Sequence, residues 1–239
     1  MNINSNNTQD DYPINQYKKR SIEVTPNFYF DTDLVSVPLE YKKYISQVVI
    51  TYGFIIDRIE KIARQIVEEN GHKDITLLVI MKSSLLFSHY LLKYITEIKK
   101  SKDYGGNVYY EYISSTSYLN DKSTGEVKIN TPESIFKNLK GKDVIIIEDM
   151  YDTGNSLDHL IKYINKFELK SLKIAMLFLK KNKANLIYKL FIDYLCFIVE
   201  ANAFVIGFGM DYNELFRDLN HLCLCSDEGL KLLKEKFKN

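Results

Sequence analysis

The stretch Val144-Ile145-Ile146-Ile147-Glu148-Asp149-Met150-Tyr151-Asp152-Thr153-Gly154-Asn155-Ser156 decides how the rest of this chain is read. Four β-branched residues run directly into the adjacent acids Glu148 and Asp149. A third acid, Asp152, follows before a small Thr-Gly-Asn-Ser turn. A continuous Val/Ile run reads as a strand buried on both faces, as in a parallel sheet. Beyond the turn, Leu157, Leu160, Ile161 and Ile164 recur at helical spacing, so the chain passes from strand to turn to helix. Acids and backbone N–H groups therefore gather at the carboxyl end of a strand, where open α/β sheets bind ligands. A helix N-terminus there suits a phosphate, and the acids suit ribose hydroxyls or a magnesium ion.

Upstream, Ile75 to Met81 is a second apolar run with the character of a buried strand, followed by a helical pattern over Leu85 to Ile98. Val108 to Ile113 reads as a strand, and Val127 to Ile129 as a short return strand after the polar turn 120–126. Downstream, Ser171 to Leu179, Leu195 to Val199 and Phe204 to Gly207 read as strands, Asn213 to Leu219 as a turn or short helix, and Leu230 to Phe237 as a terminal helix. Phe54 to Glu68 carries Ile55, Ile59, Ile62, Ala63 and Ile66 on one helical face, with Gly71 just past its end. Tyr41 to Val49 also fits an amphipathic helix. Strands alternating with helices imply an α/β fold with a mostly parallel sheet. Residues 1–25 read as a flexible leader and 26–239 as a single domain, since no repeat or low-complexity linker interrupts them.

The chain has 239 residues and a formal net charge of +1, which gives no global field to draw nucleic acid or a membrane surface. Cys196, Cys223 and Cys225 form no CxxC pair, and the polar first residues lack the apolar core of a secretory signal. Free thiols fit a reducing compartment. No apolar run is long enough for a membrane span. The expectation is a soluble, cytoplasmic protein.

Glu148 to Ser156 after its hydrophobic strand resembles the phosphoribosyl-pyrophosphate signature of type I phosphoribosyltransferases. Phe204-Val205-Ile206-Gly207-Phe208-Gly209-Met210-Asp211-Tyr212-Asn213-Glu214, continuing to His221, resembles the C-terminal segment of the hypoxanthine-guanine members. Ser117-Tyr118, with Asn120-Asp121 and Ser123-Thr124-Gly125, resembles their mobile catalytic loop, and Lys180 falls where they carry a purine-contacting lysine. The resemblance covers roughly residues 28 to 235 and points toward the protozoan purine enzymes. It implies a mostly parallel sheet flanked by helices under a small hood built from the N- and C-terminal segments. It also implies Mg2+ as cofactor and assembly as a homodimer or homotetramer. The implied partners are phosphoribosyl pyrophosphate, 6-oxopurine bases and purine nucleoside monophosphates.

Carried over residue by residue, the resemblance makes Asp152 the general base near purine N7. Asp152, Thr153, Gly154, Asn155 and Ser156 would hold the 5′-phosphate. Glu148 and Asp149 would hold the ribose hydroxyls, partly through magnesium. Lys180 would donate to the purine O6, Phe204 would stack on the ring, and Val205 would offer main-chain contacts. Asp211 would ligate magnesium near the base. Lys82, Ser83 and Arg217 would grip pyrophosphate, and Ser117 and Tyr118 would form the lid. Plainer roles stand beside these. Asp152 suits a helix N-cap, Lys180 a solvated charge run with Lys181 and Lys183, Phe204 a core aromatic, and Asp211 with Arg217 a surface pair.

Some positions depart from the family pattern. Met81-Lys82-Ser83-Ser84 stands where a Leu-Lys-Gly-Gly or Leu-Lys-Gly-Ser loop, often with a non-proline cis peptide, is usual. Ser83 lacks glycine's access to positive φ. Ser114 and Thr116 replace frequent Arg and Lys, and Asn155 replaces a common lysine. The expectation is retained chemistry with a weaker anion grip. A purine-salvage enzyme is the leading reading. The alternative is a non-catalytic relative that senses the sugar pyrophosphate or a nucleotide.

Overall fold

The computed structural model describes residues 12–13, 17, 20–117, 127–152, 155–181, 187–188, 190–200 and 204–237. In chain order the elements are β1 (Tyr12–Pro13), β2 (Ile22–Glu23), α1 (Leu39–Lys42), β3 (Ile45–Ile50), α2 (Tyr52–Asn70), β4 (Ile75–Met81), α3 (Leu85–Ser101), β5 (Val108–Ser117) and β6 (Val127–Ile129). They continue as α4 (Glu133–Lys137), β7 (Asp143–Tyr151), α5 (Asn155–Ile164), β8 (Ser171–Lys181), β9 (Ile187–Tyr188), β10 (Tyr194–Glu200), β11 (Val205–Ile206), β12 (Leu222–Cys225) and α6 (Asp227–Lys236).

The Val/Ile run of β7 lies where its composition puts it, in the middle of a seven-stranded sheet ordered β2-β10-β8-β7-β4-β5-β6. Neighbouring pairs are parallel except β5 with β6. Ile147 sits between Val79 of β4 and Ala175 of β8. Both faces of the sheet are covered. On one, Leu77, Val79 and Ile147 pack with Ile59 and Ile62 of α2 and Phe87 and Leu91 of α3. On the other, Leu78, Ile146 and Met176 pack with Leu157, Leu160 and Ile164 of α5. A central strand buried on both sides has no polar face to alternate with, which is why its sequence is continuously apolar.

A second, three-stranded antiparallel sheet, β11-β12-β3, forms the hood. Its core gathers Ile45 and Val48 from the N-terminal part with Ile206, Phe216, Cys223 and Leu233 from the C-terminal part. Here the helical expectation for Tyr41 to Val49 fails. Only α1 forms a single turn, and Ile45–Ile50 is a strand paired with β12. Residues 41, 44, 45 and 48 do fall on a helical stripe, but β-branched Ile45, Val48, Val49 and Ile50 suit a strand once a partner edge is supplied. Ile22 and Glu23 pair with Phe197 and Ile198 at the sheet edge, and Tyr17 and Val24 are buried. Among the described residues, no helix is long and apolar enough to cross a membrane.

Candidate active site

Strands β4 and β7 are neighbours, but the chain leaves them in opposite directions. From β4 it runs through α3 to β5, and from β7 through α5 to β8, with the two helices on opposite faces of the sheet. The loops after the two strands therefore separate and leave a crevice at the carboxyl edge, the position where ligands bind in such sheets. Across this crevice the loop after β4 meets the acids of β7. The Ser83 hydroxyl donates to Asp149 Oδ1 at 2.7 Å and the Ser84 hydroxyl donates to the same oxygen at 3.2 Å. The Met81–Lys82 peptide is cis. Ser83 does not have positive φ, so the backbone freedom it lacks relative to glycine is not called on here.

Glu148 and Asp149 are adjacent, Asp149 buried and Glu148 half-buried. Burial pushes the Glu148 carboxyl well above the ordinary carboxylate range, and the charge of Asp149 adds to the push. Burial also raises Asp149, against the Ser83 and Ser84 hydroxyls and the positive charge of Arg217, which favour its ionised form. Glu148 Oε2 is buried and makes no hydrogen bond. A buried polar atom in that state has a ligand-shaped deficit that a sugar hydroxyl or a hard cation would fill. Among the described residues, no group of three or more His, Cys, Asp or Glu side chains forms a metal cage. The donors present instead suit Mg2+ of the kind held by one or two carboxylates together with substrate phosphates.

At the ends of β7 and β8, Asp152 and Lys180 stand side by side. Lys180 Nζ lies 3.0 Å from Asp152 Oδ2, with the lysine side chain 13% exposed and the aspartate 60%. Lys180 is thus no solvated surface lysine. The parallel register of Tyr151 with Leu179 brings the two residues together.

The hood supplies the facing groups. Phe204 is 38% exposed, so it is not a core aromatic, and its ring meets Tyr212 edge-on at 5.7 Å. Val205 belongs to β11 and pairs with Leu224. Gly209 has φ +95°, and a Cβ there would fall 2.2 Å from the Ser83 carbonyl oxygen, so only glycine lets the hood backbone close on the β4 loop. Arg217 donates from Nη1 to the Gly209 carbonyl at 2.7 Å and pairs through Nη2 with Asp211 Oδ1 at 2.9 Å. Its Nε pairs with Glu214 Oε2 at 3.1 Å, and Glu214 Oε1 pairs with Lys82 Nζ at 3.1 Å. The Arg217 and Lys82 cations hold the Glu214 carboxyl below its usual range.

The structure therefore brings Lys82, Ser83, Glu148, Asp149, Asp152 and Lys180 to one edge, with Asp211 and Arg217 linked to it through Gly209 and Glu214. Thr153, Gly154 and Tyr118 lie outside the described residues, as do the side chains of Ser117 and Asn155. Ser156 stands in the first turn of α5. Sequence reasoning gave no role to Ser84, Gly209 or Glu214. The available signals were the Gly207-Phe208-Gly209 pair and a carboxylate three residues before Arg217.

The architecture is that of a type I phosphoribosyltransferase. The family described as "Phosphoribosyl transferase domain" matches residues 53–213. The chain is 35% identical over 209 residues to the hypoxanthine-guanine phosphoribosyltransferase of Homo sapiens, covering 87% of this chain and 92% of that protein. It is 38% identical over 215 residues to the hypoxanthine-guanine-xanthine phosphoribosyltransferase of Plasmodium falciparum, covering 87% and 88%. It also resembles the crystal structure of the Schistosoma mansoni hypoxanthine-guanine phosphoribosyltransferase in complex with IMP, with a TM-score of 0.73, 26% identity and coverage of 89% and 98%. The chain belongs to the phosphoribosyltransferase family, within its hypoxanthine-guanine group.

Proposed function

We propose that this chain transfers the phosphoribosyl group of phosphoribosyl pyrophosphate to N9 of hypoxanthine or guanine, releasing pyrophosphate and giving the nucleoside monophosphate. The observation that carries the reading is the Lys180–Asp152 pair at 3.0 Å. O6 and N7 of a 6-oxopurine are neighbouring atoms on one edge of the base. An ammonium beside a carboxylate matches that edge, with Lys180 donating to O6 and Asp152 accepting the proton carried by N7. As N9 bonds to the sugar C1, the N7 proton becomes acidic and the Asp152 carboxylate takes it. A 6-amino base offers no acceptor to Lys180 and sets its own amino donor against the ammonium, so that contact with the base is lost.

Phe204 covers the ring of the base, and Val205 offers it main-chain contacts. Residues 152–156 hold the 5′-phosphate at the entry to α5. Glu148 and Asp149 hold the ribose hydroxyls, while Lys82, Ser83 and Arg217 hold the pyrophosphate. Mg2+, when bound, neutralises the leaving pyrophosphate. Glu148, Asp149 and Asp211 are the carboxylates that would hold it. Ser117 and Tyr118 close over the site. Self-association as a dimer or tetramer completes the reading. The sensor alternative is the weaker reading, because the chain retains Asp152, Lys180, Phe204, Asp211 and Arg217.

A spectrophotometric assay with hypoxanthine, guanine, xanthine and adenine at saturating phosphoribosyl pyrophosphate and magnesium tests the proposal. Turnover of the first two and rejection of adenine is expected. No turnover with any 6-oxopurine would overturn it.

A further inference from the structure

The turn Tyr212-Asn213-Glu214-Leu215 is closed by paired backbone hydrogen bonds, Tyr212 N–H to the Leu215 carbonyl at 3.2 Å and Leu215 N–H to the Tyr212 carbonyl at 3.1 Å. Its two central residues, Asn213 and Glu214, both have positive φ, +46° and +68°. Turns of that kind favour Asn followed by Gly. A glutamate in the glycine position is strained, and strain of this sort clusters where a side chain is kept for function. The Asp211 carboxylate pins the turn by accepting the Glu214 N–H at 2.7 Å.

The strained side chain is the one that bridges two cations. Glu214 Oε1 takes Lys82 from the β4 loop and Oε2 takes Arg217 from the hood, each at 3.1 Å. One carboxylate thus spans two basic groups far apart in sequence, as a diphosphate oxyanion would. All three nitrogens of the Arg217 guanidinium are engaged, by Glu214, the Gly209 carbonyl and Asp211. Nη1 and Nη2 each keep one further N–H, but an anion that bridges Lys82 and Arg217 as Glu214 does competes with it for both cations. Asp211 is 26% exposed and is also held by the turn, whereas Glu214 is 61% exposed. Glu214 is therefore the contact that yields.

We propose that Glu214 is an internal competitor for the pyrophosphate grip: its carboxylate bridges Lys82 and Arg217, gives way when pyrophosphate binds, and drives pyrophosphate off when it returns. The proposal rests on the assignment of Lys82 and Arg217 to pyrophosphate made above. A rigid turn suits the task, because it returns the carboxylate to the same place after each displacement. The arrangement trades affinity for release, and it adds a second source of weak anion binding to the missing cations at Ser114 and Thr116.

The test is calorimetric titration of pyrophosphate, with and without Mg2+, into the full chain and into Glu214→Gln, Glu214→Gly, Lys82→Ala and Arg217→Ala, with thermal melts as a check on folding. Glu214→Gln removes the charge, and Glu214→Gly also relieves the turn. Both should bind pyrophosphate roughly two- to tenfold more tightly, the scale set by the loss of two exposed ion pairs. Stopped-flow release should slow by a similar factor. Unchanged or weaker binding in both Glu214 variants, with weaker binding in Lys82→Ala and Arg217→Ala, would overturn the competitor role and leave the site assignment standing. No effect of Lys82→Ala or Arg217→Ala would overturn the assignment of the pyrophosphate site itself.

Discussion

Lys180 and Asp152 meet at the ends of adjacent parallel strands, with 3.0 Å between the ammonium nitrogen and a carboxylate oxygen. Lys180 is the more enclosed partner, so its charge has little water to fall back on. Lys180→Met keeps the length and apolar stem but removes the donor. Loss of a hydrogen bond from a charged group costs about 1.5–3 kcal/mol. The Michaelis constants for hypoxanthine and guanine should rise by roughly ten- to a hundredfold, with that for phosphoribosyl pyrophosphate little changed. Steady-state kinetics with each substrate varied in turn separates the two, and an equal rise in both would show that Lys180 does not contact the base.

Asp152→Asn preserves shape and removes the proton acceptor. General base catalysis contributes roughly a hundred- to ten-thousandfold. Turnover should fall within that range while calorimetry still detects binding of the sugar substrate. If turnover fell less than about fivefold, the base would have to lie elsewhere.

The sequence was most legible where one physical demand dominates. Val144 to Ile147 had to be a strand covered on both faces, and Glu148, Asp149 and Asp152 fell at its carboxyl end. The hood was harder, because its short strands borrow their identity from distant partners. Ile45–Ile50 becomes a strand only through β12, which lies far along the chain and whose Leu222-Cys223-Leu224-Cys225 run is too short to announce itself. Contacts between loops were also hidden. A serine in place of the family's usual glycine shows in sequence only as lost backbone freedom, whereas its side chain faces Asp149 and supplies a hydrogen bond.

That bond yields a prediction about Ser83. Asp149 is buried beside a second acid, and its oxygen accepts from Ser83 at 2.7 Å and Ser84 at 3.2 Å. Ser83→Ala removes the shorter bond and leaves a buried acceptor poorer by one donor, at a cost of about 1–3 kcal/mol. For a chain of this size that lowers the melting temperature by roughly 2–10 °C. Ser83→Gly should do the same, since Ser83 does not use positive φ. A melting temperature of the glycine variant equal to that of the unsubstituted chain would show that the hydroxyl contributes nothing.

Gly209→Ala tests the closure of the hood on the β4 loop. The new Cβ would lie 2.2 Å from the Ser83 carbonyl, and φ +95° is a conformation that L side chains rarely adopt. The left-handed strain alone costs about 1–2 kcal/mol. The backbone must also shift, and Ser83 must move with it. Pyrophosphate binding measured by calorimetry should weaken more than binding of the nucleoside monophosphate. Equal weakening of both would mean the whole hood had been displaced.

His221 links the hood to α2 and makes stability depend on pH. Its Nδ1 accepts the Tyr52 N–H at 2.8 Å, capping a helix whose own N-cap residue, Thr51, makes no side-chain bond. Burial pushes the imidazole pKa down, with the Ser36 backbone partly opposing it. Protonation would remove the acceptor and set a positive charge at the positive end of a helix dipole. The sign follows from where the proton binds better. In the unfolded chain His221 takes up a proton near pH ~6.5, but the folded chain resists until lower pH. The folded state is therefore penalised as pH falls below about 6.5 and is unaffected by this group above it. Urea unfolding measured from pH 7.5 down to 5 should show stability falling at the acid end. His221→Gln should start lower at neutral pH, because the cap is altered, but should show a shallower decline. An identical decline in the variant would assign the pH dependence to other groups, with the pair Glu148 and Asp149 of opposite sign, since carboxyls raised by burial favour the folded state as pH falls.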